Sequence, residues 1–316
     1  MRNQLIAERP NPDGPATDIS LAVYINDIDV IDDVSQRFNI DMFINIAWQD
    51  SRLALPLDGD ASVMRTIPAS DVWTPRGLVL NDRGLEHQLP LNVDVDSMGN
   101  VVFRQRLLGE LAVDLNFREF PFDTQQLAIS VVSYQYTPDE IHLSAESMFD
   151  ANTESFSAEG WQFRLLDVEP GNLEIPAAGI VRPQMTFVVE AQRNYQYYIL
   201  TMFLPMSLII FMSWTAFWIQ PNVVNPRISI STASIFTLIA LGFSIRLSLP
   251  QVSYVTRADL FVLGCTLVVF IALGVAVIGS RWAEENKLKQ AVRLNATTRW
   301  VYLLLFFLVT VLAATL

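Results

Sequence analysis

Cysteine and histidine are almost absent from this chain of 316 residues. It contains one cysteine, Cys265, and two histidines, His87 and His142. A single cysteine excludes an intramolecular disulfide, so cysteine usage does not indicate the redox compartment. The two histidines lie far apart in the sequence and have no partner cysteine pattern, so no metal site is predicted.

The sequence patterns of common enzymes are also missing. The chain has no Gly-rich phosphate-binding loop, no Cys/His spacing typical of zinc proteins and no Ser/His/Asp arrangement. We therefore expect neither an enzymatic activity nor a cofactor. Basic residues do not form the patches that nucleic-acid binding needs, so nucleic acid is not an expected partner. The first 15 residues lack the apolar core of a signal peptide, and any export signal is expected to have been removed.

Positive charge is scarce in the first two thirds of the chain. Residues 1–198 carry 13 Lys and Arg against 30 Asp and Glu, whereas residues 199–316 carry eight against three. This asymmetry predicts two regions in different surroundings.

Long helical patterns are missing from the acidic region, and strand patterns take their place. Apolar residues alternate with other residues over 19–25 and 38–46, and further apolar runs lie at 101–108, 127–132, 141–143, 161–168 and 185–191. Many short strands separated by turn residues predict an all-β, immunoglobulin-like sandwich over residues 1–194.

Long uncharged runs are confined to residues 195–316, which we predict to form an all-α transmembrane domain. Four segments are long and apolar enough to cross a bilayer, at about 197–219, 226–248, 258–282 and 297–316. The segment 281–299 carries five basic and two acidic residues, so the positive-inside rule places it in the cytoplasm. We therefore expect a multi-pass protein of the plasma (inner) membrane whose β-domain is periplasmic or extracellular.

The second of these segments is rich in hydroxyl groups, which a helix facing only lipid would not need. At about 100° per residue, one line along this helix holds a set of residues that is polar at one end and apolar above. The set is Asn225, Ser229, Ala233, Phe236, Ala240, Phe243 and Leu247. We predict that this line faces a pore with a hydrophobic gate at Phe236 and Phe243. The alternative is a helix that packs small residues and phenylalanines against its neighbours. One helix cannot enclose a pore, so the pore requires a symmetric ring of subunits.

Three short motifs lie in the acidic region. Phe120-Pro121-Phe122-Asp123 is followed by Gln125, a Trp-x-Asp-x-Arg-Leu pattern spans residues 48–53, and Trp73 precedes Pro75 and Asn81. Together they resemble the motifs of the pentameric ligand-gated ion channels, the Cys-loop receptor superfamily, and most closely its bacterial members. The two cysteines that bracket the signature loop in animal receptors are replaced by Val113 and Leu127.

The resemblance implies a homopentamer around a central pore, opened by a small ligand or a pH change sensed by the outer domain. It also implies that the family's pore-lining positions fall on the residues chosen by helical periodicity. The implied ligand site lies between subunits, with an aromatic cage for a cationic amine at Tyr134, Tyr136 and Phe43. Arg104 and Arg182 lie near this site and make a carboxylate ligand an alternative. A third alternative is that these aromatic residues are ordinary packing and the arginines are solvated.

The resemblance further implies a charged cluster that couples the outer domain to the pore. Its members would be Asp32, Asp33, Asp123 and Arg193, and the loop that begins at Pro250 would receive the movement. Surface ion pairs without a coupling role are the alternative interpretation.

Ion selectivity is where the sequence features disagree. Residues 224–226 offer no carboxylate at the cytoplasmic mouth, and Pro226 before Arg227 resembles anion-selective relatives. The outer region, with 13 bases against 30 acids in each subunit, would instead concentrate cations. We predict a cation-selective channel for monovalent ions. The alternatives are an anion-selective channel of the same family and a non-conducting, membrane-anchored periplasmic binding sensor.

Overall fold

The computed structural model describes residues 8–55, 64–145, 153–247 and 252–315. It divides into two compact units. The first holds the chain up to Leu115 together with Thr124–Gln192, and the second holds Asn116–Asp123 together with Arg193–Leu316. The signature segment 116–123, which lies within the predicted β-region, thus groups with the helices.

The first unit is a β-sandwich of two sheets, as predicted. In the described residues one sheet has seven strands in the order β3-β6-β7-β2-β1-β9, with β5 paired to β7, and the other has the order β10-β11-β8-β4. The strands are β1 Thr17–Asp32, β2 Arg37–Gln49, β3 Arg65–Pro68, β4 Gly77–Val79, β5 Glu86–His87, β6 Asn92–Val95, β7 Asn100–Ala112, β8 Thr124–Ser133, β9 Ile141–Ala145, β10 Trp161–Ile175 and β11 Ile180–Arg193. The alternating apolar residues of β1, β2, β8 and β11 fill the core between the sheets.

Several strands are longer than the apolar patterns predict. β1 has 16 residues, β10 has 15 and β11 has 14. In β1 the pairing with β2 shifts register between Ile25 and Asp27 and again between Ile28 and Val30. These irregularities interrupt the alternation of apolar side chains without ending the strand, so the pattern underestimates the strand's length.

The Trp-x-Asp-x-Arg-Leu motif fixes the end of β2. Asp50 accepts hydrogen bonds from the Arg52 amide at 3.0 Å and from Arg52 Nε at 2.9 Å, and its own amide donates to the Gly99 carbonyl at 2.8 Å. Gly99 has a φ of +82°, and a Cβ there would lie 2.4 Å from the Asp50 carbonyl oxygen. The motif is therefore structural, and it holds Trp48 at the edge of the core.

In the part of the second unit that the structure describes there are four long helices, α1 Gln196–Trp218, α2 Val224–Leu247, α3 Arg257–Glu284 and α4 Leu288–Thr315. All four are long and apolar enough to cross a membrane. α1 includes a π-helical turn at Ile199–Phe203 just before Pro205, where the missing proline amide favours a local irregularity.

α4 begins at Leu288, whereas the apolar pattern places the span's start at about 297. The helix starts earlier because one of its faces is already buried in its first turns, at Ala291, Asn295 and Thr298. The basic residues among them lie on other faces, so they end the uncharged run without ending the helix.

Candidate functional site

The predicted pore face of α2 is exposed along its described length. Phe236 is 69 % exposed and Phe243 is 65 % exposed. The other exposed members of the predicted set are Asn225, Ser229, Ala233 and Ala240. Leu247 ends the helix, and its side chain lies outside the described residues. The subunit itself thus leaves uncovered the line chosen by helical periodicity, and pore lining remains a prediction for these residues.

The hydroxyl groups of α2 occupy two environments. Ser229 is exposed on the predicted line, whereas Ser231 and Ser234 are fully buried against the other helices. The Ser234 hydroxyl donates to the Ile230 carbonyl at 2.9 Å, which satisfies it within the helix. Hydroxyl content alone therefore overstates how much of this helix faces water.

Arg227 points away from the predicted line and is fully buried. Its Nη2 donates to Asn295 Oδ1 on α4 at 2.6 Å, and Asn295 Nδ2 donates to the Ile219 carbonyl at 3.3 Å. Gly279 on α3 makes room for the guanidinium, because a Cβ there would lie 3.3 Å from Arg227 Nη1. Asn295 thus anchors the first turn of α2, and no sequence pattern had indicated it.

Two members of the predicted coupling cluster meet in the second unit. Arg193 Nε donates to Asp123 Oδ1 at 2.8 Å and Arg193 Nη2 donates to Asp123 Oδ2 at 3.2 Å. Their side chains are only 4 % and 2 % exposed. The Arg193 guanidinium also lies 5.1 Å from the Phe120 ring centroid and 5.9 Å from that of Tyr198. This is a buried, bidentate ion pair with aromatic walls.

The other predicted coupling residues have different settings. Asp32 Oδ1 accepts hydrogen bonds from the Ser35 amide at 3.0 Å and the Val34 amide at 2.8 Å, in the turn that also holds Asp33. The hydrogen bonds from Ser35 lower the pKa of Asp32. Pro250 lies outside the described residues.

The signature segment is fastened to the residues around the start of α3. The Arg257 amide donates to the Arg118 carbonyl at 3.0 Å, and the Ala258 amide donates to the Phe120 carbonyl at 3.2 Å. The Phe117 amide donates to the Tyr254 hydroxyl at 3.0 Å, and the Arg118 guanidinium lies 5.3 Å from the Tyr254 ring centroid. Sequence reasoning did not single out Tyr254, although Tyr254 lies within the loop, residues 250–257, that was predicted to receive the movement.

Replacing Tyr254 by phenylalanine is expected to lower the free energy of unfolding by about 1–3 kcal/mol, because the amide of buried Phe117 loses its acceptor. Thermal unfolding of the purified protein measures the change. Tyr197→Phe is the matched control, since Tyr197 is 67 % exposed. Equal midpoint temperatures of thermal unfolding for the two variants would show that the Tyr254 hydroxyl does not stabilise the signature segment.

Tyr134 and Arg182 lie together in the first unit. Tyr134 is 51 % exposed, and its carbonyl accepts a hydrogen bond from Arg182 Nε at 2.9 Å. The Tyr134 amide donates to the Arg76 carbonyl at 3.4 Å. The structure therefore has one exposed aromatic ring, that of Tyr134, whose main chain is hydrogen bonded to the Arg182 side chain and to the Arg76 main chain.

Tyr136 does not fit the predicted ligand-binding role. It is only 8 % exposed, and its hydroxyl accepts a hydrogen bond from Trp73 Nε1 at 2.8 Å. Its ring centroid lies 5.5 Å from that of Trp73. Tyr136 belongs to the core because a ring of this size is stable there once its hydroxyl has a partner.

Phe43 and Arg104 lie on the neighbouring strands β2 and β7. Phe43 pairs in register with Arg106, whose guanidinium is 5.7 Å from the Phe43 ring centroid. Arg104 Nη1 makes an exposed ion pair with Asp94 at 3.4 Å. Among the described residues, no hydrogen bond, ion pair or ring contact joins Phe43 or Arg104 to Tyr134 or Arg182. The four residues could therefore form one site only across two subunits.

Two family models match the chain, one for each unit. The neurotransmitter-gated ion-channel ligand binding domain matches residues 3–195, and the neurotransmitter-gated ion-channel transmembrane region matches residues 202–305. The chain belongs to the neurotransmitter-gated ion-channel family. This family consists of ligand-gated channels, which are not enzymes.

A curated relative within the family is a gamma-aminobutyric acid receptor subunit beta from Caenorhabditis elegans. It is 26 % identical over 296 residues, which cover 88 % of this chain and 52 % of the relative. The chain therefore spans about half the length of this relative. A bacterial origin, the homopentamer and the cation preference stay predictions.

A further buried carboxylate, Asp41, was missed by sequence reasoning. Asp41 accepts hydrogen bonds from Arg106 Nε at 2.9 Å, Arg106 Nη2 at 2.7 Å and Asn26 Nδ2 at 2.7 Å. The hydrogen bond from Arg106 is the largest reason why the pKa of Asp41 lies below its usual value. The cluster lies beside Phe43 and joins β1, β2 and β7. No sequence signal indicated it, because the apolar alternation of β2 puts Asp41 on the face opposite to the core residue Met42.

The Asp41 cluster predicts a pH dependence of stability. Because the folded-state pKa is lowered, the stabilisation is complete above the unfolded value and is lost as pH falls through the folded value. The difference in melting temperature between the wild type and Asp41→Asn should therefore shrink from about pH 7 to about pH 3. Asp94→Asn, which removes the longer contact to Arg104, is the control. A difference that stays constant over this range would contradict the prediction.

Proposed function

We propose that five copies of this chain form a channel for small monovalent ions, opened by a small ligand or a pH change at the β-domain. The observation that carries the proposal is the uncovered face of α2, where Phe236 and Phe243 are 69 % and 65 % exposed. Large apolar side chains one above the other suit rings that exclude water from a narrow pore and so close it. The membership in a channel family supports the same function.

For the permeant ion we propose a cation. The support is the acidity of residues 1–198, which carry 30 acids against 13 bases in each subunit. Five such domains around one axis would raise the local cation concentration above the pore.

An anion-selective channel is the second candidate, and a specific observation favours it. Between Asn225 and Phe243 the described face of α2 exposes no carboxylate, whereas cation pores commonly have an acidic ring. The relative named as a gamma-aminobutyric acid receptor subunit adds to the case for this candidate.

For the ligand we propose an interfacial site at Tyr134, with Arg182 from the same subunit and Phe43 and Arg104 from a neighbour. With Tyr136 buried in the core, two of the three predicted cage aromatics, Tyr134 and Phe43, remain to face a cationic amine. The arginines then favour a ligand with a carboxylate, which guanidinium groups bind with charge-assisted hydrogen bonds.

Reversal potentials test both the channel and its selectivity. The purified protein is reconstituted in planar bilayers under a tenfold KCl gradient, and currents are recorded over a range of pH and candidate ligands. A reversal potential near about 59 mV with the sign for K⁺ supports the cation channel, and the opposite sign supports the anion channel. If no current is seen under any condition, both channel proposals fail and the non-conducting sensor is the remaining function.

A further inference from the structure

We propose that Asn295 of α4 is a residue that determines ion selectivity, because it leaves the charge of buried Arg227 without a counter-ion beside the pore mouth. Arg227 is 0 % exposed, and its Nη2 donates to the amide oxygen of Asn295 at 2.6 Å. In a ring of subunits these guanidinium groups would together disfavour cations and favour anions. The inference rests on the proposed function, and it assigns part of the selectivity to a residue of another helix that acts through Arg227.

The charge of Arg227 is uncompensated. Among the described residues Arg227 forms no ion pair, and its Nε and Nη1 have no hydrogen-bond acceptor. Its neighbour on α3 is Gly279, which has no side chain. Glu285, directly after α3, pairs instead with Arg281 at 3.3 Å and with Lys287 at 2.8 Å. Because an arginine stays protonated in proteins, a full positive charge remains inside the helix bundle.

This charge lies at the level of the pore mouth. Arg227 is two residues from Asn225 and two from Ser229, which are uncharged and lie on the predicted pore line. At 1.5 Å per residue it is about 3 Å from each of them along the helix axis. It belongs to the first turn of α2, where the helix dipole is also positive. Since salt screens a buried charge much less than an exposed one, the field of Arg227 reaches an ion at this level of the pore.

Anchoring the first turn of α2 does not by itself need a charge. A neutral side chain would do so at lower cost, because a buried guanidinium without a counter-ion is strongly unfavourable. A carboxylate in place of the Asn295 amide would have the same shape and would cancel the charge. The amide Nδ2 makes only a 3.3 Å hydrogen bond to the Ile219 carbonyl. The amide is therefore the feature that keeps this end of the pore positive.

Asn295→Asp tests the inference, because it gives Arg227 a counter-ion with almost no change of shape. In planar bilayers under a tenfold KCl gradient, the ratio of K⁺ to Cl⁻ permeability obtained from the reversal potential should rise at least about threefold. The melting temperature should also rise, by about 2 °C or more, because the buried charge becomes paired. A permeability ratio at the wild-type value would overturn the inference.

Two further variants separate charge from packing. Arg227→Gln removes the charge and should raise the permeability ratio in the same direction as Asn295→Asp. Asn295→Ala keeps the charge but removes the 2.6 Å hydrogen bond, so it should lower the melting temperature and leave the permeability ratio unchanged. If the ratio changes as much in Asn295→Ala as in Asn295→Asp, packing rather than charge sets it and the inference is wrong.

Gln290→Glu is the matched control for the added carboxylate. Gln290 lies five positions before Asn295 on α4 and is exposed, so water and salt screen the new charge. This variant should change the permeability ratio by less than about 1.5-fold. Equal effects of Gln290→Glu and Asn295→Asp would assign the change to the general charge of α4 and overturn the role of Asn295.

The same recordings distinguish a failure of this inference from a failure of the proposed function. A wild-type protein without current under any condition removes the proposed function and, with it, the selectivity of its pore. Wild-type currents together with an unchanged permeability ratio in Asn295→Asp and Arg227→Gln remove the inference alone and leave the channel in place.

Discussion

Replacing Phe236 by alanine is expected to yield a channel that conducts in the absence of ligand. In a pentamer five Phe236 rings would form an apolar constriction, and a narrow apolar constriction closes a pore by expelling water. Alanine removes most of that apolar surface and widens the opening. Since Phe236 is 69 % exposed within its own subunit, the substitution leaves the subunit's core intact. We expect the ligand-free current per channel to rise at least tenfold in reconstituted bilayers.

Ile239→Ala is the matched control for this experiment. Ile239 is an exposed apolar residue of α2, 39 % exposed, and it lies about 80° from the predicted pore line at 100° per residue. It should leave the ligand-free current at the wild-type level. If Phe236→Ala behaves like Ile239→Ala, the hydrophobic gate does not lie at Phe236 and the exposed face of α2 needs another explanation.

Replacing Arg193 by alanine is expected to destabilise the protein severely and to abolish gating in whatever fraction assembles. The substitution leaves Asp123, whose side chain is 2 % exposed, without its bidentate partner. Removing one member of a buried pair costs about 3–5 kcal/mol, because the remaining charge stays buried. The burial of both partners predicts a loss of folded, assembled protein, measured by chemical unfolding and size-exclusion chromatography.

Two further variants separate the ion pair from a general effect of losing an arginine. Arg164→Ala removes an arginine of β10 whose side chain is 70 % exposed and pairs with Glu190 at 2.8 Å, so it should change stability far less. The double variant Arg193→Ala with Asp123→Ala should be more stable than Arg193→Ala alone, because it also removes the buried carboxylate that has lost its guanidinium partner. A double variant that is less stable than both single variants would show that the pair is not the source of the effect.

The parts of this protein that could be predicted from sequence are those with a strong periodic signal. Strand alternation in β1 and β2 placed Ile19, Phe38 and Met42 in the core, where each is at most 1 % exposed. Helical periodicity chose the uncovered line of α2. Each pattern identifies which side chains are buried and which are exposed, because one face of each element must be buried. The repeat of 2 residues in a strand or 3.6 in a helix then decides which side chains lie on that face.

The misses concern residues whose role depends on distant partners. Tyr136 is an aromatic residue of the type that forms ligand cages. Only the 2.8 Å hydrogen bond from Trp73 Nε1 to its hydroxyl shows that it belongs to the core. Asn295 is one polar residue in α4, and its importance follows from the buried Arg227 that it meets from 68 positions away in sequence. Tyr254 likewise acts through an amide in the signature segment. No local pattern encodes such pairs, because they are made by the packing of separate elements.

The sequence by itself determined that this is an acidic β-domain followed by four membrane-spanning helices, and its motifs determined the family. Composition and periodicity suffice for this because burial in a core or a bilayer acts on every residue of an element. Only the tertiary structure decided that Arg193 and Asp123 form a buried pair, that the signature segment belongs with the helices, and that the buried Arg227 meets the amide of Asn295. These features depend on distances between segments far apart in the chain, which the free energy of packing sets and which no local sequence pattern records.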